Sequence, residues 1–187
     1  MYRFILAFIL ILLPLFSYGK DVYVIEVEGV ITGYSEKYIE TSLKEAADNN
    51  GALLIRMDTP GGLLESTRGI VQILLESSTP VVVFVSPQGS RAGSAGTFIT
   101  LASHFAAMAE GTNIGAAHPV NITGKDFDGH MAEKIENDTV AFIRSIAEKR
   151  GRNTEAAVNT VLESKSYTSG EALELGLIDA VANSNAE

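Results

Sequence analysis

Ser94 is the residue whose surroundings in this sequence most favour chemistry. It lies in the stretch Arg91-Ala92-Gly93-Ser94-Ala95-Gly96-Thr97, after the apolar run 81–85 and before a helical pattern. This order predicts a strand, a glycine-rich turn and a helix. Small neighbours let a substrate backbone approach closely, and unpaired N–H groups at a helix start stabilise negative charge. Ser94 is therefore a candidate nucleophile, although a serine at such a position more often only caps the helix.

A second glycine turn, Pro60-Gly61-Gly62, follows an apolar strand pattern over 52–57 and precedes a helical pattern over 63–76. A turn of this kind leaves backbone N–H groups without regular partners, and such groups can bind an oxyanion. Gly-Gly also occurs in ordinary strand–helix turns. The turn is thus a candidate oxyanion site, which would serve catalysis only if a nucleophile lies beside it.

A serine nucleophile needs a group that takes its proton. His118 follows Ser94 in a small-residue extended segment, and Lys134 lies beside the apolar stripe of a helix predicted over 130–149. Burial lowers the pKa of a lysine and lets it act as a base. The alternative for Lys134 is an exposed ion pair with Asp138 one helical turn later, worth ~0.3–0.5 kcal/mol. Spacing alone leaves both bases open.

Short apolar runs alternate with helical patterns along the chain, which predicts one α/β domain with a mostly parallel sheet flanked by helices. Further helices are expected over 35–49 with Ser35 as N-cap, over 94–107, and over 154–164 with Asn153 as N-cap. The polar stretch 121–129 is expected to be a mobile loop.

The composition excludes several classes of protein. The formal net charge is −9 without a basic cluster, so we expect no nucleic-acid partner. The chain has no cysteine, which excludes disulfides and thiolate sites. Asp126 and Asp128 alone do not have the spacing of a metal site, and no cofactor is expected.

The N-terminus has the layout of a secretory signal peptide. Arg3 precedes the apolar run 4–13, and Ser17-Tyr18-Gly19 provides small residues before an expected cleavage after Gly19. An uncleaved membrane anchor is the alternative, but the run is shorter than the ~20 residues of a spanning helix. We therefore expect a signal peptide over 1–19 and an exported domain over 20–187, in the periplasm or on the extracytoplasmic face of a membrane.

Five motifs in this order resemble the N-terminal protease domain of the NfeD family, which comprises membrane-associated serine proteases of the Clp-protease class related to signal peptide peptidase A. The motifs are Met57-Asp58-Thr59-Pro60-Gly61-Gly62, the Ser94 stretch, Asn113-Ile114-Gly115-Ala116-Ala117-His118-Pro119, Lys134-Ile135-Glu136-Asn137-Asp138, and the closing motif Ser169-Gly170-Glu171-Ala172-Leu173-Glu174-Leu175-Gly176-Leu177-Ile178-Asp179.

The resemblance implies a Clp/crotonase fold of repeated ββα units and a catalytic dyad of Ser94 and Lys134. It also implies an oxyanion hole at Gly61 and Gly62, completed by the N–H of Ala95. The implied substrate is a hydrophobic segment of a stomatin-like membrane protein. A homodimer or larger homo-oligomer is expected, because Clp-class proteases usually assemble.

Three other functions are compatible with the sequence. A Ser/His peptidase of the Clp type would use His118 as the base. An acyl-CoA enzyme of the crotonase type shares the closing motif over 170–179, but export argues against a CoA substrate. A non-catalytic scaffold that binds a membrane protein would need none of these side chains.

Overall fold

The apolar runs of the sequence form neighbouring parallel strands. A computed structural model describes residues 21–120 and 129–184. The predicted signal peptide and most of the predicted loop 121–129 lie outside this part. The elements in chain order are β1 (Val22–Glu28), α1 (Gly33–Asp48), β2 (Ala52–Asp58), α2 (Leu64–Glu76), β3 (Val81–Val85), β4 (Arg91–Gly93), α3 (Ala95–Ala102), β5 (Phe105–Met108), β6 (Asn113–Gly115), α4 (Gly129–Arg150), α5 (Thr154–Leu162), β7 (Ser166–Thr168), α6 (Ser169–Glu174) and β8 (Ala180–Val181).

The main sheet has the strand order β1-β2-β3-β5-β8, and all of its neighbouring pairs are parallel. Alternate residues of each strand face the helices, so Leu53, Ile55 and Met57 of β2 are fully buried. They share one core with apolar residues of α1 to α5, among them Ile39, Ile70, Ile99, Ile143 and Val161. The predicted α/β domain with helices on a parallel sheet is confirmed.

A smaller sheet lies beyond the carboxyl end of β2. It has the order β4-β6-β7, with β4 parallel and β7 antiparallel to β6. Two isolated bridges connect the turn after β2 to its surroundings, Thr59 with Ala92 and Gly62 with Ile31. The two glycine-rich stretches of the sequence therefore meet at the carboxyl edge of a parallel sheet, where α/β proteins commonly bind ligands.

Two predicted element boundaries are wrong. The helix expected over 94–107 ends at Ala102, because residues 105–108 pair in parallel with β3. A short apolar run reads equally well as a buried strand or a helix. The N-cap of α1 is Thr32, and Ser35 instead accepts the Thr32 N–H from the third helical position in a capping box. Asn153 caps α5 as predicted.

The closing motif over 169–179 is held in place by Arg152, which precedes it in the chain and has a buried side chain. Its guanidinium donates to the carbonyl oxygens of Leu101 and Leu177 and pairs with Asp179 at 3.0 Å. Asp179 also accepts the N–H of Ala106. The motif therefore joins the end of α3 to the last strand without contributing a side chain to the glycine turns.

None of the helices in the described part of the chain has the length and apolar character of a membrane span.

Candidate active site

Ser94 joins β4 to α3 in a conformation that residues with a side chain rarely adopt, with φ 46° and ψ −108°. Its N–H donates to the Gly115 carbonyl of β6 at 2.9 Å. Ser94 occupies the N-cap position, yet its side chain makes no capping hydrogen bond. The structure thus rejects the helix-cap interpretation. Backbone strain of about 1–3 kcal/mol per residue is typical of functional sites, and here it accompanies a half-buried hydroxyl with no capping role.

Gly61 packs against the side chain of Ser94. A Cβ on Gly61 would lie 2.8 Å from Ser94 Cβ, and Gly61 has φ +130°. Both the contact and the dihedral angle require glycine at this position. The glycine turn and the serine turn, predicted separately from the sequence, therefore form one site.

The candidate oxyanion donors differ in what their N–H groups already bind. The Gly61 N–H donates to Thr59 Oγ1 at 3.0 Å and is committed to that bond. Gly62 forms a parallel bridge with Ile31, and the hydrogen bonds of that bridge are made by the residues on either side of Gly62. The Ile31 N–H donates to the Gly61 carbonyl, and the Leu63 N–H donates to the Ile31 carbonyl. In a parallel bridge this arrangement directs the Gly62 N–H away from Ile31.

Ala95 is the first residue of α3, and the first N–H groups of a helix have no partner within the helix. Within the described residues, neither the Gly62 N–H nor the Ala95 N–H is engaged in a hydrogen bond. The geometry therefore favours Gly62 and Ala95 over Gly61 as donors.

A cavity of about 500 Å³ opens at Ser94. Its lining is mostly apolar or uncharged and consists of Val30, Pro60, Gly61, Gly62, Ser94, Ala116, His118, Val120 and Ser164. Val30 and Val120 are exposed, as are Leu63 and Leu64 after the glycine turn. The cavity brings together the candidate nucleophile, the glycine turn and one of the two candidate bases.

His118 is that base. Its Nδ1 lies 3.1 Å from the Val161 carbonyl oxygen and 3.7 Å from a carboxylate oxygen of Glu136 on α4. A carbonyl oxygen can only accept, so Nδ1 carries the proton in that contact. In a neutral imidazole, a proton on Nδ1 leaves Nε2 as the acceptor.

Lys134 does not line the cavity among the described residues and is exposed on α4. It lies two residues before Glu136, so the two side chains leave the helix in nearly opposite directions. Burial of Lys134 at the edge of the apolar stripe is therefore not seen in the isolated chain. The alternative of an exposed ion pair with Asp138 is not seen either, because Asp138 pairs with Arg68 of α2, whose guanidinium stacks on Phe142.

Thr59 is a site residue that the sequence reasoning missed. It is fully buried between the two glycine stretches, and its hydroxyl bonds to both the N–H and the carbonyl of Gly61. A threonine before Pro-Gly-Gly is a local signal for such a turn, since hydroxyls bind the backbone two residues on.

Comparisons with known proteins show the family and the fold of the chain. A sequence profile described as NfeD1b, N-terminal domain, matches residues 21–184. The membrane-bound protease PH1510 of Pyrococcus horikoshii is 41% identical over 165 residues, which are 86% of this chain and 37% of that protein. This chain therefore spans little more than a third of the length of that curated relative.

Solved structures with the same fold include the 1510-N membrane protease specific for a stomatin homolog from Pyrococcus horikoshii, and two mutants described as 1510-N membrane-bound stomatin-specific protease. A serine-to-alanine mutant is 36% identical with a TM-score of 0.82, and covers 89% of this chain and 82% of its own. A lysine-to-alanine mutant in complex with a substrate peptide is 37% identical with a TM-score of 0.85, and covers 91% and 78%.

ClpP1 from Listeria monocytogenes is 17% identical with a TM-score of 0.69, and covers 87% of this chain and 92% of its own. At this identity the likeness concerns the fold alone. The fold is therefore of the Clp/crotonase type, as the sequence motifs implied.

Proposed function

The chain belongs to the family of NfeD1b N-terminal domains, and we propose that it is a serine endopeptidase with Ser94 as nucleophile and Lys134 as base. One observation carries the proposal. The Ser94 hydroxyl sits in a strained turn, makes no capping bond and lies against a glycine turn, with the Gly62 and Ala95 N–H groups unengaged within the described residues. The serine and lysine mutants of the 1510-N protease support the choice of dyad.

The reaction follows from these groups. Neutral Lys134 takes the hydroxyl proton as Ser94 Oγ attacks a peptide carbonyl, and the oxyanion is held by the N–H groups of Gly62 and Ala95. Lys134 then gives the proton to the leaving amine, and water hydrolyses the acyl-enzyme. Lys134 is exposed in the isolated chain. We propose that bound substrate or a second copy of the chain covers it in the active enzyme, because burial favours the uncharged form of a lysine.

We propose hydrophobic segments of membrane proteins as substrates, a stomatin-like protein among them. The 1510-N protease is described as stomatin-specific. In this chain Val30 and Val120 line the cavity and are exposed. Leu63 and Leu64, directly after the glycine turn, are exposed as well. These apolar side chains offer contacts to apolar substrate residues. We further propose that the domain acts as a homo-oligomer on the extracytoplasmic face of a membrane.

A Ser/His peptidase is the second candidate, because His118 lines the same cavity as Ser94 and Lys134 does not. Measured on the full chain, hydrolysis of an apolar peptide and labelling by a fluorophosphonate probe distinguish the two. Ser94→Ala should abolish both, and the exposed Ser78→Ala should change neither. Lys134→Ala should abolish hydrolysis, whereas Lys149→Ala on the same helix should retain it. An active Lys134→Ala with an inactive His118→Ala would instead assign the base to His118.

A further inference from the structure

Thr59 connects the two halves of the candidate site. Its backbone bridges to Ala92 of β4, with its N–H donating to the Arg91 carbonyl at 2.8 Å and its carbonyl accepting the Gly93 N–H at 2.9 Å. Its methyl group faces α3 so closely that a Cβ on Gly96 would lie 2.6 Å from it. The residues on either side of Ser94 are thus held against Thr59.

The Thr59 hydroxyl holds the other half, the glycine turn. It accepts the Gly61 N–H at 3.0 Å and donates its own proton to the Gly61 carbonyl at 3.2 Å. That carbonyl also accepts the Ile31 N–H at 2.9 Å. Both polar groups of Gly61 are therefore satisfied, and its carbonyl is fixed from two sides.

Fixing this carbonyl fixes the direction of the next N–H. The Gly61 carbonyl and the Gly62 N–H belong to one peptide unit, which is planar and trans, so the two groups point in opposite directions. Glycine on both sides of this unit gives it little intrinsic resistance to rotation. The Thr59 hydroxyl is a side-chain contact that opposes rotation of this unit, alongside the backbone hydrogen bond from Ile31.

We propose that Thr59 is a positioning residue, which aims the Gly62 N–H at the oxyanion and sets it in register with Ser94. This inference rests on the proposed peptidase function. The Thr59 hydroxyl does not touch substrate and acts only through the Gly61–Gly62 peptide. Preorganised donors of this kind act mainly on the transition state, where the negative charge develops.

Three variants of the full chain test the proposal. Thr59→Val keeps the shape and removes the hydroxyl, Thr59→Ser keeps the hydroxyl and removes the methyl group, and the exposed Thr41→Val is the matched control. We expect Thr59→Val to lower kcat for peptide hydrolysis by about 100-fold, with KM changed less than about 3-fold, because one oxyanion donor is worth that much in kcat. A peptide boronate forms a tetrahedral adduct with the serine, and the affinity for it should fall by about the same factor as kcat. Thr59→Ser should restore most of kcat.

A merely structural role would not produce this pattern. A folded Thr59→Val with wild-type kcat, or an equal loss in Thr59→Ser and Thr59→Val, would overturn the proposal. If Thr59→Val does not fold by circular dichroism, Thr59→Ala takes its place, and failure of both to fold assigns Thr59 a structural role. Wild-type activity that persists in Ser94→Ala would refute the peptidase function itself, and with it the role of Thr59. Activity that depends on Ser94 but is unchanged in Thr59→Val would refute only the role of Thr59.

Discussion

Gly61 and Ser94 are in direct contact, and a Cβ atom on Gly61 would lie only 3.3 Å from the Oγ of Ser94. Gly61→Ala should therefore displace the hydroxyl from its place beside the oxyanion donors. A misplacement of about 1 Å in a reacting group can cost about 100-fold in rate, and we expect a loss in kcat of that order. Peptide hydrolysis and fluorophosphonate labelling measure it.

Gly89→Ala is the matched control for this substitution. Gly89 also has a positive φ, +88°, but nothing lies within 4 Å of a Cβ built on it. It should lose stability through backbone strain and keep its activity. Equal activity losses in Gly61→Ala and Gly89→Ala would show that strain, and not contact with Ser94, is responsible.

Ser94→Gly should stabilise the protein relative to Ser94→Ala while both are inactive. With φ 46° and ψ −108°, position 94 imposes strain on any side chain, and relief of about 1–3 kcal/mol exceeds the ~0.4–1 kcal/mol that glycine adds to the entropy of the unfolded chain. We expect the free energy of unfolding in urea to be about 1 kcal/mol higher in Ser94→Gly than in Ser94→Ala. A Ser94→Gly variant no more stable than Ser94→Ala would mean that position 94 is unstrained.

Composition and periodicity predict β2, β3, most of the helices and both glycine turns, because each depends on a local pattern. Three of the four residues of β5 were instead predicted as the end of a helix, since only pairing with β3 shows that they form a strand. The strand β4 was missed, since its three residues have no apolar pattern and are held by pairing with Thr59 and β6. The contact of the Thr59 hydroxyl with Gly61 is local. The link from Thr59 to the serine turn is not, because its backbone partners Arg91 and Gly93 are distant in sequence.

The surroundings of Lys134 also depend on distant residues. A local pair with Asp138 is worth only ~0.3–0.5 kcal/mol, and Arg68, which also stacks on Phe142, takes Asp138 instead. The orientation of α4 is set by its packing against α3 and α5. The choice between Lys134 and His118 therefore stays a prediction that the mutants of both must test.

Arg152→Met should destabilise the protein strongly without acting on the chemistry. It removes the donors of the Leu101 and Leu177 carbonyls and leaves Asp179 without its cation. The Asp179 side chain is 38% exposed, so solvent screens the loss of the ion pair itself. The two buried carbonyl oxygens that lose a donor cost about 1–3 kcal/mol each, which thermal or urea unfolding would detect. The exposed Arg144→Met is the control and should have little effect. At a temperature where Arg152→Met is folded, kcat should be close to that of the wild type, and a selective loss of kcat would contradict a purely structural role.

His104 should make stability depend on pH. His104 is exposed as a whole, but partial desolvation of its ring lowers its pKa from the ordinary value of 6.5, and the charge of Arg150 lowers the pKa further. The imidazole Nδ1 also accepts the Val81 N–H at 3.2 Å, which requires that nitrogen to be unprotonated. The unfolded chain thus binds the proton more readily. The contribution of neutral His104 to the free energy of unfolding is therefore complete above pH 6.5 and is lost as the pH falls towards the lowered pKa.

His104→Asn, which keeps an acceptor but does not titrate, should show a smaller loss of unfolding free energy between about pH 7.5 and pH 5 than the wild type. The exposed His130→Asn should follow the wild type, and identical pH profiles for all three proteins would exclude His104 as the titrating group.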